Sequence, residues 1–75
     1  MNNQCERILK HLRDNGSITN MEAMWKYSIT SPTRRITDLR QYGYNVTDVW
    51  EHGTNKFGEP VRYKRYFLEE GKGAV

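Results

Sequence analysis

The sequence predicts an α+β fold in which three short helices precede a two-stranded antiparallel β-hairpin, and three observations carry that prediction. Apolar residues recur at helical spacing in the first part of the chain. Gly16, Ser31-Pro32 and Gly43 punctuate that part where helices stop or start. Beyond Gly43 the composition changes to two runs of β-branched and aromatic residues separated by turn formers.

The first helix follows from Cys5, Ile8, Leu9 and Leu12, which fall at i, i+3, i+4 and i+7 and form one apolar stripe. Glu6, Arg7, Lys10, His11 and Arg13 lie on the polar side. Asn15-Gly16 ends it, because glycine accepts the left-handed conformation of a helix C-terminus. Ser17-Ile18 reads as a short extended link. Thr19-Asn20-Met21-Glu22 then has capping-box spacing, so a second helix starts there, with Met21, Met24 and Trp25 marking its buried side. Lys26 to Thr30 reads as a tight turn.

Ser31-Pro32 opens a third helix over residues 31–42. Proline keeps the residue before it out of the helical region and suits the first helical position, which makes Ser31 the N-cap. With Ile36 at the centre of the buried side, Pro32, Leu39 and Gly43 share that side, while Arg34, Thr37, Asp38 and Gln41 face outward. Two strands, 44–51 and 61–68, enclose a loop at 52–60 rich in glycine, asparagine and proline. Strict alternation leaves their faces unresolved, since Val46 and Trp50 share one with Asp48, and Tyr66 and Leu68 share one with Lys64. A bulge near Val49-Trp50 would resolve it. Helix, helix, helix, strand, loop, strand is the order of a winged helix-turn-helix.

At 75 residues the chain supports one domain over residues 1–75, with an ordered core over about 3–68 and a flexible tail at 69–75. One cysteine excludes an intramolecular disulfide, and Cys5, His11 and His52 do not have metal-ligand spacing. No cofactor and no metal are expected. No apolar run is long enough to span a bilayer, and Met1-Asn2-Asn3-Gln4 is unlike a secretory leader, so a cytoplasmic location without a membrane partner is expected.

An enzyme is not expected, and neither is a small-molecule substrate. His11 and His52 have no nucleophile beside them, Cys5 belongs to the apolar stripe, the carboxylates are scattered singly, and Gly53 and Gly58 do not precede a helix. The charge is more informative. The net charge is +3, but residues 26–65 carry Lys26, Arg34, Arg35, Arg40, Lys56, Arg62, Lys64 and Arg65 against only Asp38, Asp48, Glu51 and Glu59. A basic excess beside a groove-sized helix points to double-stranded DNA.

On the third helix Arg34 has the reach for guanine edges or phosphate, Gln41 for adenine or phosphate, and Thr37 for a thymine methyl or phosphate oxygen. Ser31 and Thr33 lie at the helix start, where backbone amides attract phosphate. Asp38 opposes phosphate on this face unless it accepts from cytosine, pairs within one turn with Arg34 or Arg35, or lies aside because the helix docks off-centre. In the wing, Lys56, Arg62, Lys64 and Arg65 supply charge for the DNA backbone or minor groove. The aromatic residues between them, Tyr42, Tyr44, Trp50, Tyr63, Tyr66 and Phe67, are expected mostly in the core.

Gly16-Ser17-Ile18-Thr19, Glu22-Ala23, Tyr27 and Ile29 form one block of a pattern whose more specific block is Arg35-Ile36-Thr37-Asp38-Leu39-Arg40 with Gly43-Tyr44-Asn45-Val46. Over roughly residues 3–68 the chain resembles the small helix-turn-helix domains common in phage and prophage genomes. That resemblance implies a winged-helix fold and a DNA-binding role in regulation or recombination. The chain departs from the pattern at Asn20, where proline is usual, and at Pro32-Thr33-Arg34, where small residues are frequent. A transcription regulator is the leading expectation, with an excisionase-like DNA-bending factor and a protein-interaction module as alternatives. A homodimer or a cooperative assembly on DNA would suit a domain this small.

Overall fold

A computed structural model describes residues 2–69; of the tail expected at 69–75, Glu69 instead ends the last strand, paired with Asn45, and the rest lies outside the described residues. The elements are α1 (Asn3–Asn15), β1 (Ser17–Thr19), α2 (Asn20–Tyr27), α3 (Pro32–Gln41), β2 (Asn45–Thr54) and β3 (Pro60–Glu69). The extended link at Ser17-Ile18 is therefore a strand. β1 pairs antiparallel with β3, Ile18 opposite Tyr66, and gives a three-stranded sheet in the order β1-β3-β2. A three-residue run carries too little alternation to be read as a strand alone. It is one because β3 presents a free edge beside it.

The helix ends follow local chemistry. The Asn2 side chain accepts from the Cys5 amide at 2.8 Å, and Gly16 closes α1 with φ 90°. Both halves of the capping box form: Glu22 N–H donates to Thr19 Oγ1 at 3.2 Å, and Thr19 N–H donates to Glu22 Oε1 at 2.9 Å. α3 ends in paired capping bonds, Tyr44 N–H to the Leu39 carbonyl and Gly43 N–H to the Arg40 carbonyl, both 3.1 Å, with Gly43 at φ 102°. Gly43 is thus exposed, outside the buried side assigned to it. Ser31 holds the N-cap position but makes no side-chain capping bond, and Pro32 follows it at the first helical position.

Cys5, Ile8, Leu9, Leu12, Ile18, Ala23, Ile29, Ile36, Leu39, Val46 and Tyr66 form one core. Besides Gly43, two side assignments change. α2 buries Ala23 and leaves Met21, Met24 and Trp25 exposed, Trp25 at 81%. The helix meets its neighbours along Asn20, Ala23 and Tyr27, where small Ala23 permits close approach. His11 is buried, because Tyr27 covers that side of α1 and its hydroxyl lies 2.7 Å from His11 Nδ1.

β2 and β3 pair without interruption from Asn45↔Glu69 to Thr54↔Pro60, so there is no bulge and the hairpin is longer than the expected strands. The mixed faces have another cause. Val46 and Tyr66 lie under the helices, Asp48 sits at the rim where Arg40 pairs with it at 2.9 Å, and the distal pairs extend past the core into solvent. Only the base of the hairpin has an inside. The loop contracts to 55–59.

Candidate nucleic-acid interface

Two short helices joined by Ser28–Ser31 place α3 at the surface. Ser28 takes a left-handed φ of 55°, and Ile29 drops into the core with its amide on the Ala23 carbonyl at 3.3 Å. This turn anchors the start of α3 against α2. Pro32, Ile36 and Leu39 hold its inner side.

Ser31, Thr33, Arg34, Thr37 and Gln41 are all exposed, so the structure brings these five to one helix and its start. Thr37 Oγ1 donates to the Thr33 carbonyl at 3.2 Å, which leaves its methyl and oxygen lone pairs toward solvent. Arg35 and Asp38 behave differently. They are half-buried, and the Arg35 guanidinium meets the Asp38 carboxylate at 3.1 Å one turn apart. Asp38 is thereby neutralised from beside, and Arg34 has no ion-pair partner among the described residues. The outward face of α3 presents one unpaired cation and two hydrogen-bonding side chains.

The four wing cations separate into three environments. Lys56 sits at the exposed tip, its Nζ 5.7 Å from the centre of the Phe57 ring. The tip is shaped by Asn55, whose side-chain oxygen accepts from the Phe57 amide at 2.9 Å and the Glu59 amide at 3.0 Å. Arg62 and Lys64 lie on the pleat face that carries Val46 and Tyr66, and both stand over the Trp50 ring, at 4.6 and 5.2 Å from its centre. Arg65 points to the opposite face. Its Nε donates to Glu51 at 2.9 Å and its Nη1 to Ser17 Oγ at 3.1 Å, with Glu22 3.9 Å away. These contacts tie β1, β2 and α2 to β3, and the Glu51 hydrogen bond raises the guanidinium pKa further. Arg65 is committed within the fold.

Residue-type reasoning missed the aromatic part of the wing. Of the aromatics expected in the core only Tyr66 is fully buried, while Tyr42, Trp50 and Tyr63 are exposed and Tyr44 and Phe67 are intermediate. The available signal was cross-strand spacing: Trp50 faces Lys64 directly and Arg62 diagonally once the register is known. Among the described residues no cluster of His, Cys, Asp or Glu has the arrangement of a metal site, and no helix is long and apolar enough to cross a membrane.

A family model described as a winged helix-turn-helix domain matches residues 3–71. No curated protein and no solved structure matches the chain.

Proposed function

Because this chain belongs to the winged helix-turn-helix domain family, we propose that it binds double-stranded DNA as a transcription regulator, with α3 in the major groove and the β2–β3 wing on the flanking backbone or minor groove. The observation that carries this reading is the outward face of α3. Its only carboxylate, Asp38, is drawn aside by Arg35, so Arg34, Thr37 and Gln41 meet a polyanion without a free negative charge between them. Lys56, Arg62 and Lys64 extend the same sign of charge along the wing. Ser31 and Thr33 stand where the first amides of α3 favour a phosphate.

The test is binding to a selected operator across a salt series. Arg34→Ala is expected to weaken operator binding by about 1–3 kcal/mol and to relax base preference at one position, whereas Lys56→Ala weakens all sequences alike and flattens the salt slope by about 1. Unchanged affinity in both variants at moderate salt overturns the reading. A second reading, protein docking, rests on the exposed Met21, Met24 and Trp25 of α2. Amide shifts on titration with duplex DNA separate the two: movement within 31–41 and 54–65 supports DNA, and movement in neither supports docking.

A further inference from the structure

We propose that the Trp50 face of the wing is a pre-set anion site, in which the indole holds Arg62 and Lys64 to take neighbouring phosphates of a DNA strand. This rests on the DNA-binding reading above and assigns Trp50 a role as a positioning residue.

Three features of the fold lead to it. The uninterrupted register puts Trp50 opposite Lys64 and one diagonal step from Arg62, so the three side chains emerge from one pleat face. Both cations stand within cation–π range of the same ring. Neither has an ion-pair partner among the described residues. The nearby carboxylates are engaged elsewhere: Asp48 with Arg40, Glu51 with Arg65, and Glu59 with Asn55.

Two like charges gathered at one ring repel each other, and an exposed strand has no packing need for the arrangement. Trp50 is 52% exposed and contributes nothing to the core. A phosphodiester removes the repulsion, and side chains already confined over an indole lose less freedom on meeting it than free ones do. Arg62 supplies a planar donor fork and Lys64 a compact charge, so the site suits an extended phosphate backbone better than a planar carboxylate pair. Arg65, the neighbouring cation on the other pleat face, has its partners within the fold and takes no part.

Removing the indole removes no charge, and that makes the idea testable. The dependence of log K on log salt is measured for a mixed-sequence duplex of about 20 base pairs between about 50 and 200 mM salt. Trp50→Ala is expected to weaken binding about tenfold and to make the slope shallower by about 1 to 2, approaching the Arg62→Ala/Lys64→Ala double variant. Trp50→Phe, which keeps a π face, restores most of the slope. Circular dichroism melting confirms that Trp50→Ala is folded. A weakened Trp50→Ala with the wild-type slope means that the ring is merely an apolar contact, and it overturns the proposal, as does unchanged binding. Absence of salt-dependent binding by the wild-type chain overturns the DNA-binding reading itself, and the anion site with it.

Discussion

Thr19 and Ser31 occupy the same formal position, the N-cap of a helix, yet only Thr19 makes a capping bond, and its box with Glu22 is complete. Thr19→Ala should therefore lower unfolding free energy by about 1 kcal/mol, and Ser31→Ala by less than about 0.5 kcal/mol, read from urea midpoints at constant slope. A loss at Ser31 matching that at Thr19 would contradict the geometry. Cys5 is a second residue whose behaviour is set by its surroundings. Burial pushes its thiol above the ordinary value, the Asp38 carboxylate pushes the same way, and Arg35 opposes them. The folded state thus favours the neutral thiol, and its contribution is fully present below the unfolded thiol pKa of about 8.5 and is lost as pH rises beyond it. As pH rises above about 8.5, stability should fall more steeply in wild type than in Cys5→Ala. A thiol reagent should react with Cys5 only as fast as the chain opens.

At the scale of elements, the junction between α3 and β2 depends on Arg40. Its Nε donates to the Val46 carbonyl at 2.9 Å, and its Nη2 meets Asp48 at 2.9 Å. Because the side chain is 43% exposed, the ion pair is largely screened, and the backbone bond and the position of Asp48 matter more. Arg40→Ala should cost about 1 kcal/mol, and a double-mutant cycle with Asp48→Ala should show coupling below about 1 kcal/mol. α2 teaches a different lesson about elements. Its most apolar residues are exposed, since an eight-residue helix shows one narrow side to the core and Ala23 lies on it. The capping box located the helix, but periodicity misassigned its inward side, because Met21, Met24 and Trp25 are helically spaced and read as a buried face.

At the scale of the whole molecule, a core of eleven residues sits at the helical end while the distal hairpin stands outside it. Stability and the proposed wing contacts to DNA are therefore separable. Replacing residues 52–62 with Asn-Gly between the paired Glu51 and Tyr63 should leave the thermal midpoint within a few degrees and reduce DNA affinity about tenfold or more, since it removes Lys56 and Arg62. Ile36→Ala, by contrast, should cost about 2–5 kcal/mol and leave a domain this small substantially unfolded.

The α+β order, the helix ends at Gly16 and Gly43, the box at Thr19 and the inner side of α3 were legible in the sequence. Each is decided within a few residues, by backbone conformations that glycine and proline permit or forbid, by a capping side chain, or by one clear period. The outward positions on α3 followed from the same period, whereas the Arg35–Asp38 pair was one of several readings that the sequence left open for Asp38. Tertiary structure alone decided that Ser17-Ile18 is a strand, that α2 turns Trp25 outward, that His11 is buried beneath Tyr27, that Arg65 is bonded to Glu51 and Ser17, and that Trp50 is exposed. Those outcomes depend on which distant surfaces meet. The third helix, starting at Ser31-Pro32, could be found from its own residues, whereas the wing's cationic face required the β2–β3 register that brings Trp50 beside Arg62 and Lys64.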